Sequence, residues 1–356
     1  MHFYYDKKEH KTEIYQMYQD IFRDPEAFAQ YYFEEVYSKN QVLIAEKKDN
    51  IKGMIHLNPY RIKVGKEEFV LNYIVAVAVK KECRRQGIMA SMLKKCLNDM
   101  AEQGQPFTYL MPANRAYYEP FDFVFVMDWK ESKITGKVTE PQGEMIPVKK
   151  EEYKEAACYL KNFMNDYGSY TIPDEEYLER IDLESRSSGG RLMAWRQNGK
   201  MKGIFAETCE DDSIYLKLAF SEEPEQMLCQ IQRYYCDKCI EITGGNLLKG
   251  KLTPKIMARI TSLKKWETIL QGKKEFCFRI NVEDALIPEN QGTFQFEYKK
   301  QKMRITKVPE KKGVPQILIG DLAQVFFGYE AEYILKEHKY LQNIIPVGPV
   351  YISEEV

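Results

Sequence analysis

The sequence predicts an α+β protein, with mixed, mostly antiparallel sheets flanked by helices and more than one folding unit. Three observations predict it. At 356 residues the chain is too long for one core of ordinary domain size. Short runs of β-branched and aromatic residues alternate with longer stretches of helical periodicity. Within the first third, one such run ends in a basic turn and passes straight into a helix, Val77–Leu93, VAVKKECRRQGIMASML.

Residues 13–38 read as two helices, the second starting at Pro25 after Asp24 as a cap. Their aromatic face carries Tyr15, Tyr18, Phe22, Tyr31, Tyr32, Phe33 and Tyr37. A stripe at helical spacing is usually core; the other reading is that some rings line a cavity for an amine, because aromatic faces attract cations. Strands follow at Gln41–Glu46, Lys52–Leu57 and Phe69–Val79, with Lys47–Asn50 as a hairpin turn. A helix runs to about Met100, a strand covers Pro106–Met111, and the aromatic knot YYEPFDF occupies Tyr117–Phe123. This unit is expected to end near Trp129, with Lys130–Gly143 as linker. A second unit runs from about Ile146 to Asn281, with helices at Glu151–Tyr167 and Pro224–Cys236 and strands near Arg191–Arg196, Gly203–Glu207 and Ile214–Phe220. It has no arginine-rich turn, and the Gly244–Gly245 pair is not preceded by arginines. The last segment, Asp284–Val356, opens with two strands around a short turn. Helices at Asp321–Phe327 and Glu330–Leu335 follow.

Composition narrows the function classes. The 52 basic residues balance 53 acidic ones, which argues against a general nucleic-acid binder. No apolar run approaches the roughly 20 residues that span a bilayer, and the start, MHFYYDKKEHKTE, has no signal-peptide core. A cytoplasmic protein without membrane partners is expected. Of the eight cysteines, Cys236 and Cys239 form a CxxC in a helix-like run. No second pair completes a tetrahedral zinc site, so no metal is expected and the thiols read as reduced.

The basic turn is the chemically loaded feature. Gly87 lets backbone approach a ligand. The helix beginning there aims free N–H groups and its positive dipole end at the same spot. Arg84 and Arg85 add guanidinium groups able to bind phosphate oxygens in pairs. Residues Arg84, Arg85, Gln86, Gly87, Ile88, Met89 and Ala90 therefore form a candidate pyrophosphate pocket. Neither GxGxxG nor GxxxxGK[ST] is present.

The order strand, RRQGIMA turn, helix, strand, Asn114, YYEPFDF resembles the GNAT acetyltransferases over about residues 1–130. Arg84 and Gly87 fit that family's acyl-CoA motif, and Met89 stands where it has Gly or Ala. The same departure occurs in the Eis (enhanced intracellular survival) type. PKIMARI at Pro254–Ile260, IPENQGTF at Ile287–Phe294 and GDLAQVFFGY at Gly320–Tyr329 also look like that type. The resemblance implies tandem GNAT-like domains plus a small sterol-carrier-like domain. Residues 1–130 are then catalytic, 131–283 a degenerate copy that does not bind CoA, and 284–356 the last domain. It implies acetyl-CoA as cosubstrate and a primary amine, small-molecule or peptide, as acceptor: aminoglycoside-like, polyamine or lysine. It also implies a homo-oligomer, a hexamer, although the last segment is shorter than the family's.

By the GNAT scheme the amides of Val77, Ala78 and Val79 pair with the pantetheine arm, and Ala113 and Asn114 flank its other side. Tyr118 aligns with the family's general acid, with Tyr117 as its competitor, and Asp122 stands where the family's pattern has glycine. For the base, His56 in GMIHLN reads as a structural histidine. The resemblance implies instead the α-carboxylate of Val356, carried by a stiff apolar tail, IIPVGPVYISEEV, in which Glu354 and Glu355 add negative charge. Two other classes fit the same turn: a CoA-binding protein without transferase activity, and a transferase of a longer acyl group.

Overall fold

The computed structural model describes residues 1–138, 140, 142–210, 213–247, 249–310 and 312–355. Val356 lies outside the described residues. In the first unit β1 (His2–Tyr5), α1 (Lys11–Phe22) and α2 (Glu26–Tyr31) precede a meander of β2 (Gln41–Glu46), β3 (Ile51–Val64) and β4 (Glu67–Val79). Then come α3 (Ile88–Glu102), β5 (Phe107–Leu110) and β6 (Val124–Thr135). The second unit comprises β7 (Glu144–Pro147), α4 (Tyr153–Met164), β8 (Ser169–Thr171), α5 (Glu175–Ser187), β9 (Leu192–Gln197) and β10 (Lys200–Glu210). It continues with β11 (Ser213–Ser221), α6 (Pro224–Tyr234), β12 (Cys239–Thr243) and β13 (Lys251–Ile260). The third holds α7 (Trp266–Ile269), β14 (Gln271–Gly272), β15 (Phe276–Glu283), β16 (Gly292–Lys299), β17 (Lys302–Lys307) and β18 (Gln316–Leu318). Its remaining elements are α8 (Ile319–Phe327), α9 (Glu332–Glu337), β19 (Ile344–Ile345) and β20 (Val350–Tyr351).

The units repeat one plan. β4 passes through α3 to a parallel β5, and β11 passes through α6 to a parallel β12. The two plans fuse by exchanging strands: β13 of the second unit pairs with β5 of the first, and β6 of the first pairs with β12 of the second. One continuous sheet results. Without the exchange β5 and β12 would each keep an unpaired edge.

This exchange corrects the expected linker. Residues 130–135 are strand, and Lys133–Thr135 pair with Cys239–Glu241. Polar, lysine-rich composition read as linker because these residues pair far along the chain. The CxxC is also relocated: Cys236 follows α6 and Cys239 opens β12, so the motif is a helix-to-strand turn. The third unit's sheet runs β17-β16-β15-β18. It takes in β15, so it begins before Asp284. Among the described residues no helix is long and apolar enough to cross a membrane.

The helical aromatic stripe divides by face. Tyr18, Tyr32, Phe33 and Tyr37 join a second core between α1, α2 and the sheet. Tyr31 belongs to the same core and also lines a cavity against α5.

Candidate active site

β4 and β5 meet at a single register pair, Tyr73 with Tyr109, and then part. The split arises in β4. A bulge places three residues of β4 against two of β3, and Ala76 takes a left-handed φ of 49°. The Lys80 N–H donates to Lys52. By the two-residue period of the ladder the Ala78 amide also faces β3, leaving Val77 and Val79 toward the opening. This corrects the expectation of three amides there: Ala78 is spent on the sheet.

The basic turn follows. Arg85 and Gly87 both have positive φ, 60° and 75°, so the backbone curls into a concave nest of N–H groups. Gly87 caps α3, no side chain caps the first amides of that helix, and its first turn holds no acidic residue. Arg84 Nε donates to the Val79 carbonyl, 3.1 Å away, which fixes the turn to the end of β4. Arg84, Arg85, Gln86 and Gly87 are exposed, and a Cβ added at Gly87 would meet nothing within 4 Å. Met89 turns inward against the main core, so its bulk leaves the amides open. The matching corner of the second unit carries Glu223 and Glu225 around Pro224, and acidic groups there repel a phosphate.

Beyond β5, Ala113 and Asn114 are exposed, and the Asn114 side chain accepts from the Ala116 amide. The two tyrosines separate clearly. Tyr117 is 58% exposed, whereas Tyr118 is 9% exposed and packs edge-on against Phe123, 5.9 Å between centroids. Burial pushes the Tyr118 phenol up to about 12. Asp122 adopts the left-handed conformation that glycine would favour, φ 60°. Asp tolerates this region better than most residues.

Three segments singled out in the sequence converge on this loop. Arg259 of β13, fully buried, donates to the Phe121 carbonyl at 3.0 Å and pairs with Asp284 at 2.5 Å. Asn290 donates to the same Asp284 at 3.0 Å. Gly320 of α8 lies against Val124 and Asp122, where a Cβ would come within 3.1 Å of Val124. The third unit thus clamps the loop that presents Tyr118. Sequence patterns gave the segments without this purpose, because ion pairs across units leave no local periodicity.

The C-terminal tail docks. β20 runs parallel to β8, the Ile352 carbonyl accepts from Trp129 Nε1 at 3.0 Å, and Tyr177 and Ser353 hydroxyls bond at 2.8 Å. Glu354 is 2% exposed, and among the described residues neither carboxylate oxygen has a hydrogen-bond partner. Burial lifts it to about 7, with Thr171, Arg180 and Lys217 pulling the other way. Tyr60, Tyr73, Tyr109 and Tyr177 feel its charge, and Tyr73 also feels Tyr118. The layer that holds Glu354 therefore reaches the point where β4 and β5 part. His56 is excluded as a base: it is fully buried beside the Tyr32 hydroxyl, 3.0 Å from its Nδ1, and burial depresses it to about 3.

Residues 5–126 match the profile of the Acetyltransferase (GNAT) domain, and residues 261–345 that of the Sterol carrier protein domain. No curated protein matches the chain. Among solved structures, a conserved protein of Enterococcus faecalis described as a probable N-acyltransferase is similar at 17% identity. It has a TM-score of 0.82, with 99% of each chain covered. A GCN5-related N-acetyltransferase from Anabaena variabilis gives 17% identity and a TM-score of 0.72, covering 99% of this chain and 98% of the other. Eis1 from Mycobacterium abscessus gives 12% and 0.66, covering 98% and 94%. At these identities the likeness is one of fold, and it spans all three units. The N-terminal third of this chain is an acetyltransferase domain of the GNAT family, joined through a second GNAT-like unit to a sterol carrier protein domain at its C-terminal end.

Proposed function

We propose that the protein transfers an acetyl group from acetyl-CoA to a primary amine at the split between β4 and β5. The observation that carries this is the open nest at Arg85–Gly87, heading an uncapped helix beside exposed guanidinium groups. Those amides and Arg84 and Arg85 would hold the pyrophosphate. The free edge at Val77 and Val79 would take the pantetheine arm like an added strand.

The amine nitrogen forms a bond to the acetyl carbonyl carbon, and the C–S bond breaks. The thiolate leaves with a proton from the Tyr118 hydroxyl, and the amine gives its proton to a carboxylate of the tail. A buried phenol is a weaker acid than a free one, but a thiolate formed in the same dry cleft is a stronger base than in water. Two tail carboxylates are proposed as candidates for the base, the α-carboxylate of Val356 and Glu354, whose raised pKa suits proton uptake near neutrality.

Gly87→Ala tests the pocket. The added methyl touches no protein atom, so only the left-handed backbone costs stability, about 1 kcal/mol. The same methyl projects where phosphate would sit. The expected result is a rise of roughly tenfold in KM for acetyl-CoA, the loss of about one hydrogen bond's worth of binding, measured by thiol release. An unchanged KM would remove CoA from this corner.

A further inference from the structure

The most exceptional charge outside the CoA pocket is Arg180 of α5. Its guanidinium stacks on the Tyr60 ring, 4.1 Å from the centroid. Its Nε and Nη2 atoms are sealed from solvent and have no hydrogen-bond partner among the described residues. The neighbouring carboxylates are engaged elsewhere: Glu184 with Lys217, Asp174 with Arg61 at 2.6 Å, and Glu179 with Lys150 at 2.5 Å. Among the described residues Glu354 likewise lacks a hydrogen-bond partner, and it forms no ion pair with Arg180. A buried donor without an acceptor is costly. Glu354 lies behind the wall of the Arg180 cavity, since Tyr60 and Tyr177 line it and feel the Glu354 charge.

Two adjoining cavities, about 170 and 270 Å³, share Pro59, Glu176 and Arg180 as walls at the seam of the first two units. The larger also has Thr171 in its wall. Exposed Glu35 and Glu176 stand at the rim, where solvent screens them.

We propose that this seam is the acceptor pocket and that Arg180 binds a carboxylate carried by the acceptor, making the substrate a small amino acid-type molecule. The inference rests on the transferase reading and narrows its amine. Such a molecule supplies the acceptor that Arg180 lacks. Its carboxylate meets the guanidinium fork in the paired geometry that suits it. A polyamine would leave Arg180 unsatisfied and set like charges together. The volumes lie at or below the small end of ligand pockets, which suits one amino acid and not a multi-ring sugar.

The test is equilibrium binding by calorimetry to the full chain saturated with CoA. The probes are alanine, methionine and lysine, each against its carboxamide, with spermidine alongside. The acid should bind the wild type roughly ten- to hundredfold more tightly than the amide, the worth of a charge-assisted pair. Arg180→Met should bring that ratio close to one, and Arg180→Lys should restore part of it. Acids and amides that bind wild type alike overturn the proposal, and so does a preference that survives in folded Arg180→Met. Should that variant not fold, the wild-type ratio and Arg180→Lys decide. A preference without acetyl transfer to any amine would remove the transferase reading and leave the anion site. Transfer to amides and spermidine as readily as to acids would do the reverse.

Discussion

Tyr118→Phe is expected to lower kcat by about 10²–10⁴-fold, the range of one general acid, with KM for acetyl-CoA nearly unchanged. The hydroxyl is the only group removed. The ring keeps its edge contact with Phe123, and burial accounts for the raised phenol, so folding stability should hold. Pre-steady-state thiol release measures the effect. Because the phenol sits near 12, it stays protonated through pH 10, and no falling limb below that pH should come from it. Tyr117→Phe is the control: at 58% exposure it should change kcat less than twofold, about 0.4 kcal/mol. A Tyr118→Phe enzyme with wild-type kcat would remove the acid role.

The CoA corner was legible because its signal is local. Two arginines, a glycine and a helix start lie within a few residues, and backbone sterics translate them directly into a nest. The direction of the Ala78 amide was not legible. It depends on a bulge at Ala76 that shifts the ladder by one residue, and one residue reverses which side an amide faces. The strand exchange of β6 and β13 was hidden for a related reason, since pairing partners more than a hundred residues apart leave no periodicity. The helix α5 went unread although Asp174 caps it, accepting from the Tyr177 amide, and Glu175 and Glu176 follow as first-turn acids. Its apolar stripe is thin and its surface strongly charged, so capping was the usable signal. Missing it meant missing Arg180. Glu354 stood in view as a tail charge, but its isolation comes from Tyr60, Tyr73, Tyr109 and Tyr177, which three strands and a helix bring together.

Glu354→Gln should make the protein more stable and less active at once. The carboxyl is lifted from an ordinary 4.5 to about 7 in the fold. Between these values the folded state holds a proton that the unfolded chain has released, so stability falls as pH rises through this window. By pH 8 the ionised, unpaired carboxylate costs about 3 kcal/mol. A neutral amide avoids that cost, so the variant should resist denaturant better than wild type at pH 8 and match it near pH 4.5. The same change removes the carboxylate beside the amine. Thus kcat/KM should fall by roughly 100-fold, and the rising limb of the pH profile, with its midpoint near 7, should flatten. A purely structural glutamate would show the stability gain with activity intact. If the variant is no more stable at pH 8 than at pH 4.5, relative to wild type, the carboxylate is not isolated as described. If the limb survives in Glu354→Gln but shifts when one residue is added after Val356, the proton goes to the terminal carboxylate. Glu354 is then left as the countercharge that orients the ammonium.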